Sequence, residues 1–214
     1  MARVAVFGGS FNPVHYGHLL VADELIEALA LDRVLFVPAG QPPHKPPSAV
    51  APAAHRHAMV TLATAGHPRF AVSDLELRRP GPSYTVDTLE ALATSGDQLL
   101  LLIGSETFLD LLSWRAPRRI AELAQLVVVP RTGSAFDPDS AAAQKVLREI
   151  GADGFAAVAG AAGSASAVLI AHVTSLPISA SDLRRRAREG RSLAFRLPAP
   201  VVDYLRAHRL YEGA

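Results

Sequence analysis

The residues best suited to chemistry stand in one short run, GGSFNPVHYGH, from Gly8 to His18, directly behind the apolar residues 4–7. Two glycines close a predicted strand, where they let backbone approach a ligand, and two histidines open the next predicted helix. His15 and His18 are three residues apart and share a face with Ala22, Leu25 and Leu29, so both imidazoles are expected at the inward head of that helix. There the helix N-terminus favours an anion, and imidazole N–H groups donate to phosphate oxygens. Capping or core packing would explain either histidine alone. H-x-x-H also occurs in metal sites, but no acid stands where a zinc-protease helix needs one. The run lacks both G-x-G-x-x-G and G-x-x-x-x-G-K-[ST], which removes dinucleotide oxidoreductases and Walker ATPases. Polyphosphate chemistry remains.

Such a run needs a sheet behind it. Apolar runs at residues 3–7, 33–37, 70–72, 99–103, 126–129 and 168–172 read as strands buried on both faces. Between them Ala22, Leu25, Ile26 and Leu29 keep helical spacing, and residues 84–92 and 118–123 have similar patterns. The expected fold is α/β, a Rossmann-like doubly wound, mostly parallel sheet with helices on both faces. It is expected to form one domain over residues 1–214, with a C-terminal helical part from about residue 179. Ligands bind beyond the carboxyl ends of such strands, so residues 8–18, 38–47, 73–84, 104–114, 130–136 and 174–184 are where function is sought. Low-complexity residues 160–166 are expected to form a surface loop.

Composition excludes several classes. A net charge of +1 argues against a general polyanion binder, so no nucleic-acid partner is expected. The absence of cysteine removes disulfides, thiol catalysis and cysteine-ligated zinc. The apolar run after Arg3 is too short for a signal peptide, and residues 155–173 hold too little Leu, Ile and Phe for a membrane helix. A cytoplasmic chain without a membrane partner is expected.

Other segments carry candidate groups. Prolines 42, 43, 46 and 47 stiffen the chain around His44 and Lys45, one of only two lysines. Ser83-Tyr84-Thr85 looks like a helix entry capped by Ser83 or Thr85. Trp114, the single tryptophan, could stack on a ring, and partial core burial would explain it as well. Ser179-Ala180-Ser181-Asp182 forms a capping box for a helix over residues 183–189. Ser181 and Arg184 put a hydroxyl and a guanidinium on one face near that helix's positive end, as a triphosphate site requires.

The opening run matches the signature of HxGH-type nucleotidyltransferases, with His15-Tyr16-Gly17-His18 as its core. More narrowly it resembles bacterial nicotinate mononucleotide adenylyltransferases, which make nicotinate adenine dinucleotide on the way to NAD. The resemblance extends through Pro43-His44-Lys45, Arg56 and Met59, the segment from Ser83 to Leu89, Ile103-Gly104, Trp114, the segment from Ile178 to Arg184, Val202-Asp203-Tyr204 and Leu210-Tyr211. It implies catalytic roles for His15, His18, Lys45 and Arg184. It implies ATP contacts at Gly8, Gly9, Ser10, Phe11, His15, His18, Gly104, Glu106, Ile178, Ser179, Ser181 and Arg184. Mononucleotide contacts are implied at Ser10, His44, Lys45, Ser83, Tyr84, Thr85, Trp114 and Arg131. Arg56 and Met59 take a supporting part, and residues 38–52 are expected to act as a mobile lid over the site.

The implied reaction is direct attack of the mononucleotide phosphate on the α-phosphorus of ATP, with magnesium bound to ATP and no metal-ligating side chain assigned. The chain departs from the family at Ala180 and Ser181, within the family's I-S-S-T-x-I-R, at Glu106, where an aspartate is usual, and at Thr132, where a proline is usual. Three alternatives stay open: nicotinamide mononucleotide as acceptor, phosphopantetheine as acceptor, and a nucleotide-binding regulator with weak turnover.

Overall fold

A computed structural model describes residues 1–131, 133–158 and 166–212. The elements run β1 (Arg3–Gly9), α1 (Tyr16–Ala28), β2 (Arg33–Pro38), α2 (Ala53–Thr64), β3 (Phe70–Val72), α3 (Leu75–Arg78), α4 (Thr85–Ala93), β4 (Gln98–Gly104) and α5 (Ser105–Leu109). They continue with α6 (Pro117–Leu123), β5 (Gln125–Val129), α7 (Ala141–Ile150), β6 (Phe155–Ala157), β7 (Val168–Ile170), α8 (Ala180–Arg188) and α9 (Ala199–Ala207).

The described strands form one sheet of order β3-β2-β1-β4-β5-β7-β6, with every pairing parallel. All six expected strands are present, and β6 is an addition at the edge. Successive side chains point to opposite faces, and both faces are dry. Ala5, Leu100, Leu102, Val127 and Leu169 pack under α1, α2, α8 and α9. Val4, Val6, Leu99, Leu101, Ile103, Leu126 and Val128 pack under α4, α5, α6 and α7. Each such valine, leucine or isoleucine contributes about 1.5–3 kcal/mol by burial, which makes the strands a rigid base for the loops at their ends. No helix among the described residues is long and apolar enough to cross a membrane.

Strand order reverses at β1, which lies between β2 and β4. The crevice of a doubly wound sheet opens there, beyond the strands' carboxyl ends. Gly8 and Gly9 end β1 opposite Val37 and Pro38, so the chemically suggestive run leaves the sheet at that point.

Candidate active site

The loop after β1 delivers His15 as N-cap of α1 and His18 one turn on. Their rings stack at a centroid distance of 3.7 Å. The backbone N–H of His15 donates to Nδ1 of His18 at 3.2 Å, so that nitrogen carries no proton and the neutral ring presents Nε2–H as a donor. Phe7 and Phe11 meet the His18 ring edge-on and fix its plane. Burial, reinforced by the Arg131 guanidinium, lowers the His15 pKa from 6.5 to about 4. Burial, the neighbouring His15 and Arg131 hold His18 well below its ordinary value. Nδ1 of His15 is buried without a hydrogen-bond partner among the described residues. Gly17 is what admits that ring: a Cβ there would lie 3.0 Å from Nδ1 and 3.1 Å from Cε1 of His15.

The second loop is tied to the first by two buried side chains. Arg56, 1% exposed, donates from Nη1 to the Ser10 carbonyl at 2.9 Å, from Nη2 to that of Gly40 at 3.1 Å, and from Nε to that of Ala51 at 2.8 Å. Asn12 donates from Nδ2 to the Ala49 carbonyl at 3.1 Å and accepts at Oδ1 from the Ala51 N–H at 3.0 Å. Met59 lies beneath them in the core. At the loop tip Lys45 donates to Ser10 Oγ at 2.9 Å. Partial burial, then Arg184 and Arg56, lower its pKa, so three cations meet beside the first loop. His44 is exposed and makes no such bond. The stretch expected to be a lid is thus fastened at Gly40, Ala49 and Ala51, which confines any closing movement to the residues between.

Ser83 does not cap α4 as expected, and neither does Thr85. The N-cap position falls on Tyr84 without a side-chain bond, and Thr85 is the first helical residue. Ser83 Oγ instead accepts from the Gln41 N–H at 3.1 Å, and its own N–H donates to the Gln41 carbonyl at 2.9 Å. This pair joins the entry of α4 to the second loop. Gly40 has no room for a side chain at that junction, because a Cβ would come within 2.3 Å of the Glu76 carbonyl. Arg115 lies over the Tyr84 ring at 5.0 Å, which brings the neighbouring Trp114, half-buried, to the same end of the molecule. Gly104 is the N-cap of α5, and Glu106 is exposed, with Oε2 accepting a 3.4 Å bond from Ser105 Oγ.

On the other side of β1, α8 begins at Ala180, three residues before the expected start, because Ser179 caps it by accepting from the Asp182 N–H at 3.2 Å. Ser179 Oγ and Ser181 Oγ lie 3.2 Å apart, and Ile178 packs its side chain against the core below. Arg184 donates to the Asn12 carbonyl at 2.8 Å, which brings α8 to the first loop. Beyond β5 and β7 a cleft of about 300 Å³ is lined by Pro130, Arg131, Ser134, Phe136, Pro138, Ile170, His172 and Val173. Arg131 was expected with the mononucleotide. In the structure it lines this cleft and acts electrostatically on both histidines. Thr132 and residues 160–165 lie outside the described residues.

The structure therefore gathers Ser10, His15, His18, Lys45 and Arg184 around one loop, joins Ser83 to the second loop with Tyr84, Thr85 and Trp114 beside it, and sets Arg131 in a cleft beyond β5 and β7. Sequence reasoning gave Arg56 only a supporting part and missed Asn12. Both act through backbone carbonyls or side-chain bonds to residues far along the chain, and a lone Arg or Asn signals neither.

A parallel doubly wound sheet with histidine, lysine and arginine side chains gathered at its switch point is the architecture of a nucleotide-binding α/β protein. The cytidylyltransferase-like family profile matches residues 6–186. A Thermomicrobium roseum protein named "Probable nicotinate-nucleotide adenylyltransferase" is 45% identical over 99% of this chain and 92% of its own length. One from Thermus thermophilus with the same name is 41% identical over 98% of this chain and 99% of its own. The chain belongs to the nicotinate-nucleotide adenylyltransferases within the cytidylyltransferase-like family. The fold agrees with that of Plasmodium falciparum nicotinic acid mononucleotide adenylyltransferase complexed with NaAD. The TM-score is 0.75 at 17% identity, covering 99% of this chain and 98% of that one.

Proposed function

We propose that this enzyme transfers the adenylyl group of ATP to nicotinate mononucleotide, giving nicotinate adenine dinucleotide and pyrophosphate. A phosphate oxygen of the mononucleotide attacks the α-phosphorus of ATP. The bond from that phosphorus to the oxygen bridging to the β-phosphate breaks, and pyrophosphate leaves with the electron pair. Such a displacement needs alignment and charge stabilisation rather than a covalent nucleophile.

The observation that carries this reading is the convergence of His18, Lys45 and Arg184 on the first loop. His18 Nε2–H and His15 would donate to oxygens of the α- and β-phosphates, as neutral donors already oriented before substrate arrives. Lys45, with Ser10 and His44, would hold the attacking phosphate. Arg184, Ser181 and Ser179 would hold the β- and γ-phosphates, where the positive end of α8 adds to the attraction. Gly8, Gly9, Phe11 and Ile178 would form the floor, and Gly104 and Glu106 would face the adenosine.

The pyridine ring would lie between the α4 entry and Trp114. The position of Arg131 supports a place on the ATP side, with the cleft beyond β5 and β7 taking adenosine. Among the described residues no three His, Asp or Glu side chains gather to hold a metal. Magnesium brought in with ATP would supply charge neutralisation at the phosphates.

The test is pyrophosphate release with ATP and magnesium, comparing nicotinate mononucleotide, nicotinamide mononucleotide and phosphopantetheine as acceptors. Fastest release with nicotinate mononucleotide is expected. Release only with phosphopantetheine, or with no acceptor, would overturn the assignment.

A further inference from the structure

One hydrogen bond joins the extreme ends of the chain at the site. The Tyr211 hydroxyl donates to Oδ1 of Asn12 at 2.5 Å, across 199 positions of sequence. Tyr211 holds a left-handed backbone conformation, φ 66°, which a bulky residue adopts only where its surroundings impose it. Its ring packs on the core beneath α1 and α9. Burial raises its pKa, so the hydroxyl stays protonated and serves as a donor. Asn12 is 3% exposed and bonded through its side chain and its carbonyl. Oδ1 accepts from Tyr211 and from the Ala51 N–H, Nδ2 donates to the Ala49 carbonyl, and its own carbonyl accepts from Arg184. The side-chain bonds fix how the Asn12 peptide is turned, and that orientation sets where Arg184 stands.

We infer that Tyr211 is a positioning residue for adenylyl transfer, acting through Asn12 to hold the Arg184 guanidinium at the phosphate loop. The inference rests on the proposed function for what Arg184 binds. It does not depend on which acceptor receives the adenylyl group. Loss of one such bond shifts an equilibrium by about three- to tenfold.

The experiment is a double-mutant cycle on the full chain. Tyr211→Phe keeps the ring and removes the hydroxyl, and Arg184→Ala removes the group it acts through. Affinity for a non-hydrolysable ATP analogue with magnesium is read by calorimetry, alongside formation of nicotinate adenine dinucleotide and the thermal midpoint. Tyr211→Phe is expected to weaken analogue binding by about three- to tenfold in the wild-type background and by less than about twofold beside Arg184→Ala. A merely structural role would lower the midpoint and weaken binding equally in both backgrounds, and that additivity would overturn the inference. So would unchanged binding in Tyr211→Phe. If the wild type binds the analogue but forms no dinucleotide, the proposed function fails while the binding cycle still decides the role of Tyr211.

Discussion

Burial removes the charge from both histidines before any ligand arrives, and this has consequences in pH. The unfolded chain takes up a proton at His15 near pH 6.5, whereas the folded chain does so only near about 4. Between those values the unfolded state binds more protons. Stability is therefore fullest above pH 6.5 and is lost as the pH falls towards 4, by about 3 kcal/mol for His15 alone. Thermal midpoints of the wild type and His15→Gln, measured from pH 7 to 4.5, should diverge, with the wild type losing more. Parallel curves would show that His15 does not carry this dependence. Neutrality also sets what His18 would do in the proposed reaction: act as a fixed donor for developing charge, already in the required tautomer. His18→Ala should lower kcat by about 10² to 10³, the cost of removing one preorganised donor. Steady-state rates near the wild-type value would remove the centre of the proposed chemistry.

Helices and loops place those donors through contacts of two kinds, one legible in the sequence and one not. Gly17 belongs to the first helix turn, where alanine has the better propensity, so Gly17→Ala should not lower the thermal midpoint. Its Cβ would nevertheless meet the His15 ring at 3.0 Å and force it aside. A full ångström of misplacement costs up to about a hundredfold, so the few tenths needed here should lower kcat by about three- to tenfold with the fold intact if His15 acts as proposed. A fully active Gly17→Ala would show that the ring has room elsewhere. Arg56→Ala should act on stability instead. It leaves the carbonyls of Ser10, Gly40 and Ala51 without their charged donor, which should cost about 3 kcal/mol or more in urea unfolding.

The strands with β-branched or leucine-rich runs were readable because burial on both faces writes a continuous apolar stretch. β6, Phe-Ala-Ala at an edge, carries no such pattern. His15, Lys45 and Arg184 announced themselves by residue type within loops at strand ends. Asn12, Arg56 and Tyr211 did not, because their work is done by bonds to backbone and side chains up to 199 positions away.

At the scale of the molecule, the reversal of strand order at β1 divides the site into two sides. Loops after β2 and β3 and the entry of α4 stand on one side, joined by the Gln41–Ser83 pair. On the other side stand the ends of β5 and β7 with the Arg131 cleft, and α8 closes over the middle from Arg184 to Asn12. On the proposed reading, two substrates lying across a single β1 loop would need no domain movement to meet, because each would enter from its own side and their phosphates would converge on Ser10, His15 and His18. Such a division is testable as a pair of opposite effects. Lys45→Ala removes a cation from the β2 side and should raise KM for nicotinate mononucleotide by roughly ten- to a hundredfold, with KM for ATP changed little. Arg131→Ala should do the reverse, raising KM for ATP and sparing that for the mononucleotide. Initial rates with each substrate varied at saturating partner separate the two. A shared rise in both constants from either substitution would mean that the loops act as one unit and that the sides are not independent. An Arg131 effect confined to the mononucleotide would return that arginine to the acceptor pocket and leave the β5–β7 cleft without its charged anchor.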